Sequence, residues 1–158
     1  MSQENNINRR RFLAGAAAGI GSSLLVGPAQ AMRFPGDPPD HFVVYQLNKA
    51  DYDYQKAILN SLSAMFGKYE DGVKIAVVTF GPGVHLLAKN PKREVSKELQ
   101  DRVINFADTL GVEFVACGNT MNTVGYTAED MFEFARIEEV GASALMEYQE
   151  EGYAYIAW

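Results

Sequence analysis

Cys117 is the only cysteine among 158 residues. It closes the run Val112-Glu113-Phe114-Val115-Ala116 and is followed at once by Gly118-Asn119-Thr120. The apolar run reads as a buried strand, and the small polar residues after it open a helix. A thiol at that junction meets backbone N–H groups that favour thiolate over thiol, and the thiolate is the nucleophilic form. One cysteine cannot form an internal disulfide. The competing reading is that Cys117 is a small buried hydrophobe, the commoner use of a free cysteine.

The other candidates lie in Gly81-Pro82-Gly83-Val84-His85-Leu86-Leu87. His85 is a potential hydrogen-bond or charge partner for Cys117; as a turn or surface residue it would do neither. Gly81 and Gly83 permit close approach to a bound anion, although Gly-Pro-Gly is not a phosphate-loop signature and serves equally as turn chemistry. Gly118, Asn119 and Thr120 line a pocket or cap the helix that follows, and the two uses are compatible. His41 precedes its strand and belongs at the opposite edge of the sheet. Two histidines on opposite edges and one cysteine make no metal set of ordinary spacing. No Asp or Glu stands where it would orient His85 in a catalytic triad. No cofactor is expected: the aromatics Tyr45, Phe80, Tyr153, Tyr155 and Trp158 suit the core or a subunit interface better than a cofactor pocket.

The elements that must position these residues follow from periodicity. Strands are predicted at 42–47 and 73–80, the second nearly continuous in apolar residues, as in a strand covered on both faces. A helix over 51–69 places Ile58, Leu62, Met65 and Tyr69 on one stripe, with Asn60 expected to be buried and to tie helix to sheet. A second helix over about 95–110 carries Leu99, Val103, Phe106 and Leu110 on one face, ended by Gly111. Thr127-Ala128-Glu129-Asp130 reads as a capped helix start. A last helix over 141–152 packs through Leu145, Met146 and Tyr148, and 153–158 closes as a strand. Alternating strands and helices give an α/β layer architecture with a mainly parallel sheet. Sites in such sheets lie beyond the carboxyl ends of the strands, so the segments 48–51, 81–85 and 117–120 are expected to converge.

The N-terminus bears on location. Arg9-Arg10-Arg11-Phe12-Leu13 is followed by a weakly apolar stretch with no charge before Arg33, closing on Ala29-Gln30-Ala31. This pattern resembles a twin-arginine signal peptide over residues 1–31, with cleavage before Met32 and a proline-rich linker over 32–40. The alternative is an uncleaved anchor, against which the Gly and Ser content and the Ala-Gln-Ala site argue. Export to the periplasm or the outer face of the envelope is expected, with no stable membrane span after cleavage. What remains, 41–158, is one domain's length. The whole chain has a net charge of −6, and removing three arginines with only Glu4 makes the remainder more acidic still. Without a basic patch, nucleic acid is not an expected partner.

Val77-Val78-Thr79-Phe80-Gly81-Pro82-Gly83-Val84-His85, then Leu110-Gly111-Val112-Glu113-Phe114-Val115-Ala116-Cys117-Gly118-Asn119-Thr120-Met121, then Glu151-Gly152-Tyr153-Ala154-Tyr155 resemble the DsrE/DsrF-like family. The resemblance runs from about His41 to the C-terminus. It implies a YchN-like fold, a three-layer α/β sandwich around a parallel sheet, and assembly as a trimer or hexamer. It further implies sulfur handling, with Cys117 at the position that carries a persulfide and a sulfur donor or acceptor protein, or a small sulfur compound, as partner. The match is stronger to an exported branch than to the cytoplasmic relay subunits. Three functions are therefore carried forward: a periplasmic sulfur carrier or sulfurtransferase-like protein, a non-enzymatic oligomeric module that binds a small ligand or a protein, and a thiol redox sensor.

Overall fold

The computed structural model describes residues 36–158, so the expected signal peptide and the first part of the linker lie outside the described residues. Five strands form one sheet in the order β4-β3-β2-β1-β5: β1 (His41–Leu47), β2 (Val73–Thr79), β3 (Glu113–Cys117), β4 (Arg136–Glu138) and β5 (Ala154–Ile156). Every neighbouring pair is parallel. The helices are α1 (Tyr52–Tyr69), α2 (Lys97–Leu110), α3 (Gly118–Val124) and α4 (Gly141–Glu150). This is the α/β fold with a parallel central sheet expected from the sequence.

The pleat divides the side chains between two apolar layers. Val43, Tyr45 and Leu47 of β1, Ile75 and Val77 of β2, and Phe114 and Ala116 of β3 join Ile58, Leu59 and Leu62 of α1 and Leu99, Val103 and Phe106 of α2 in the larger core. The intervening Val44, Ala76, Val78 and Val115 face the other way and pack on Ala144, Leu145 and Tyr148 of α4. Cys117 has the register of Val115, two residues on, so its side chain belongs to the α4 face.

Local signals account for the element ends. Asp51 caps α1 by accepting the Tyr54 N–H at 2.8 Å, and Gly111 ends α2 in the left-handed region at φ 65°, where a Cβ is strained. After β2 the chain turns through a 3-10 segment, Gly81–Leu87. It is pinned to the loop before β4 by Lys89 N–H to Asp130 O at 2.8 Å and Phe132 N–H to Leu87 O at 3.0 Å.

Several sequence expectations are corrected. Thr127 begins a single 3-10 turn, Ala128–Asp130, closed by a reciprocal capping box with Asp130, and no longer helix follows. The strand β4 that comes next carries no periodic apolar signal. Leu110 and Met146 are exposed rather than packed. Asn60 is exposed; the buried amide that ties α1 inward is Gln55, whose Nε2 donates to Lys49 O at 3.1 Å. Tyr155 and Trp158 are also exposed, whereas Tyr45 and Tyr153 are buried.

Candidate functional site

The three loops expected to meet do so at the carboxyl edge of the sheet. Phe80 N–H donates to Leu47 O at 3.2 Å, joining the turns after β2 and β1. Gly81 N–H donates to the Thr120 hydroxyl at 3.1 Å, joining the turn after β2 to the start of α3. Gly83 lies so close to β1 that a Cβ would stand 2.2 Å from Leu47 O, a position only glycine fits.

Cys117 is 6 % exposed. Its sulfur faces the N-terminus of α4, where Gly141 N–H donates to Sγ at 3.2 Å. The first N–H groups of a helix have no partner within it, and α4 has no side-chain cap, so the sulfur takes that place. Gly141 is required sterically as well: a Cβ there would lie 2.9 Å from Cys117 Cβ and 3.4 Å from Sγ.

Burial pushes the Cys117 thiol up. The Thr120 hydroxyl, the Gly141 N–H and the N–H groups of Thr120 and Asn119 outweigh it and hold the thiol below its ordinary value. Because the Thr120 hydroxyl accepts from Gly81 N–H, its own proton is left for the sulfur. The result is a buried sulfur surrounded by donors, which favours an anion at that atom.

His85 is placed differently from its expected pairing with Cys117. It is 2 % exposed, and its Nδ1 lies 2.7 Å from the Tyr126 hydroxyl. That hydroxyl accepts Lys92 N–H at 2.7 Å, and on that ground we assign its proton to the bond with Nδ1 and the ring proton to Nε2. Burial, then the charges of Arg93 and Lys92, lower the His85 pKa; the ring is neutral near neutral pH and supplies no positive charge to the thiol.

Of the sequence candidates, Gly81, His85, Asn119 and Thr120 line one cavity of about 510 Å³. Gly83 packs beneath it against β1, and Gly118 sits against the loop after β4, 3.3 Å from Glu139 Cα for a would-be Cβ. Cys117 does not line the cavity; Thr120 stands between the two. Gly141, Tyr126 and Arg93 were not singled out from the sequence. Gly141 acts through its N–H from 24 residues away, which no local pattern reveals. No local pattern around Tyr126 or Arg93 marks either residue. His41 stands on the other edge, its ring tilted at 52° against Tyr69 with centroids 4.3 Å apart. Among the described residues there is no metal-like cluster of His, Cys, Asp or Glu, and no helix is long and apolar enough to cross a membrane.

The model of the DsrE/DsrF-like family matches residues 42–158. Among solved structures, the protein of unknown function MTH1491 from Methanobacterium thermoautotrophicum is similar at 25% identity and a TM-score of 0.67, over 75% of this chain and 100% of that one. The ychN protein from E. coli is similar at 12% identity and a TM-score of 0.63, over 75% of this chain and 99% of that one; at that identity the likeness is one of fold. No curated protein matches.

Proposed function

Because this chain belongs to the DsrE/DsrF-like family, a family of sulfur-relay type, we propose that it is a sulfur carrier that holds a persulfide on Cys117. The observation that carries this reading is the Gly141 N–H donating to Sγ at 3.2 Å; the Thr120 hydroxyl and the backbone at the start of α3 act with it to lower the thiol's pKa against its burial.

In the proposed step the Cys117 thiolate attacks the outer sulfur of a donor persulfide, R–S–SH. The Sγ–S bond forms as the donor's S–S bond breaks, and that electron pair leaves with R–S⁻. One sulfane sulfur moves and nothing is oxidised overall. The donors that favour the thiolate also favour the anionic persulfide that results. Discharge to an acceptor thiolate reverses the same bonds. Isolation of the sulfur from other cysteines suits a carrier, because no internal disulfide competes.

Export by the twin-arginine-type segment and assembly into a homo-oligomer, trimer or hexamer, are part of the same proposal. Both rest on sequence: the Arg9-Arg10-Arg11-Phe12-Leu13 run with its Ala-Gln-Ala ending, and the family resemblance.

The test is the mass of protein isolated from the periplasm without reductant, before and after exposure to a sulfane-sulfur donor. A reductant-reversible gain of one sulfur atom, absent in Cys117→Ser, is the expected result, on a chain beginning at Met32. A gain of oxygen instead, with oxidant, would assign Cys117 to redox sensing. The second reading, a ligand-binding module, is favoured by the separation of Cys117 from the cavity; a thiol that takes up neither sulfur nor an alkylating reagent in the folded protein would make Cys117 a packing residue, and this reading then expects Cys117→Ser to fold and bind normally.

A further inference from the structure

The cavity beside the sulfur is lined by hydrogen-bond donors and cations and by no carboxylate: His85, Lys92, Arg93, Asn119, Thr120 and Thr123 supply its polar wall. In a chain of net charge −6 that is a local exception. The two cations differ in how they are engaged. Lys92 Nζ donates to Val124 O at 3.2 Å and to Gly125 O, and lies 4.7 Å above the Tyr126 ring, so its ammonium is held at the end of α3 while its charge still acts on the cavity wall. Arg93 is exposed and takes no hydrogen bond or ion pair among the described residues. His85, buried in the wall, gives Nδ1 to Tyr126, which does not line the cavity. Its Nε2–H has no partner among the described residues, and a buried polar group is ordinarily satisfied.

We propose that this cavity binds the carboxylate of a small organic thiol or persulfide, with Arg93 as the charge partner and the His85 Nε2–H and Asn119 amide as neutral donors. The size argues for an organic ligand: about 510 Å³ lies within the range of small-molecule sites and is far more than a simple inorganic anion fills. The identity of the ligand's sulfur end rests on Cys117 being a carrier; the carboxylate subsite does not. Thr120 belongs to the cavity wall and to the donor set of Cys117, so a ligand held there lies one side chain from the sulfur.

The lone cysteine gives a direct test on the full chain. Alkylation by iodoacetate, which carries a carboxylate, is compared with alkylation by neutral iodoacetamide, and the rate ratio is referred to the same ratio in the urea-unfolded chain. An ion pair with an exposed arginine contributes up to about 1 kcal/mol, or about fivefold in rate. The folded protein is therefore expected to prefer iodoacetate about fivefold. Arg93→Ala loses that preference, whereas Lys89→Ala, a cation outside the cavity, keeps it. Equal ratios in folded and unfolded protein, or a preference that survives Arg93→Ala, overturn the proposal.

If neither reagent labels the folded protein, the carrier reading fails and the subsite is judged by calorimetry on Cys117→Ser. Binding of 3-mercaptopropionate that 2-mercaptoethanol does not show, and that Arg93→Ala abolishes, supports the subsite. Equal heats for the two compounds overturn it.

Discussion

The chemistry of Cys117 is decided by a few short contacts, and two substitutions read them out. Thr120 contributes the largest downward influence on the thiol. Thr120→Val is expected to move the midpoint of the pH dependence of alkylation upward, because the thiolate loses a donor while burial remains. Thr120→Ser, which keeps the hydroxyl, is expected to stay close to the parent profile. The same valine leaves Gly81 N–H without its acceptor, so a loss of about 1–3 kcal/mol in stability accompanies the shift. Gly141→Ala places a Cβ 2.9 Å from Cys117 Cβ. Overpacking of that kind costs about 1–3 kcal/mol, read in a urea titration, and slower alkylation of the covered sulfur is the second readout. At this scale the sequence disclosed the thiol and the residues immediately after it, because a strand end followed by small polar residues is a local pattern. It concealed Gly141 and Tyr126, whose contributions exist only once α4 and the turn after α3 are folded against the strand end. It placed His85 correctly at the carboxyl edge of the sheet but gave no sign that a tyrosine hydroxyl claims Nδ1.

Elements with a strong period were legible, and those without one were not. The stripes of α1 and α2 fixed both helices to within a residue or two, and Ile58, Leu62, Leu99, Val103 and Phe106 point inward as expected. The strand β4 was missed because Arg136-Ile137-Glu138 is a short edge strand with two of its three residues exposed; it is defined by its pairing with β3, not by apolar alternation. The stretch after Thr127 carries a real capping signal, Thr127 N–H to Asp130 Oδ2 at 2.8 Å, yet it caps one turn. A cap marks a start without fixing a length. Where a cap does precede a long periodic helix its energetic weight can be measured: Asp51→Ala removes the acceptor for Tyr54 N–H and is expected to cost about 1 kcal/mol. A urea midpoint unchanged from the parent would show that water replaces the carboxylate without penalty.

For the molecule as a whole, the α4 face is tied to the sheet by an ionic network as well as by apolar contact. Lys74 Nζ lies 2.6 Å from Glu113. The Tyr148 hydroxyl donates to Glu113 at 2.7 Å and accepts from Arg136 at 3.3 Å. Burial pushes the Glu113 carboxyl up, but the Lys74 and Tyr148 hydrogen bonds outweigh it and hold the group below its usual range. Burial, reinforced by Glu113, pushes the Tyr148 hydroxyl up to about 12. A carboxyl lowered in the folded state stabilises fully above its unfolded value, and that stability is lost as pH falls through the folded one. Stability measured by urea titration is therefore expected to decline as pH falls below the ordinary carboxylate range. In Glu113→Gln that decline is expected to be shallower, by no more than about 1 kcal/mol because the ion pair is partly exposed. A tyrosine raised in the folded state acts in the opposite sense: its contribution is complete below the unfolded value and is lost in strongly alkaline solution. Identical acid limbs in the two proteins would remove Glu113 as the cause.

Apart from the Thr120 hydroxyl, what steadies the Cys117 sulfur is peptide N–H, foremost that of Gly141 at 3.2 Å. Such groups are indifferent to the genetic code: every codon but those for proline supplies one. Heredity can crowd this sulfur by adding atoms at Gly141, or strip it of the one hydroxyl at Thr120, but ordinary substitution does not delete the remaining donors. The reactivity of the thiol is thus inherited with the fold itself, and drift among side chains leaves it in place as long as β3 ends where α3 and α4 begin.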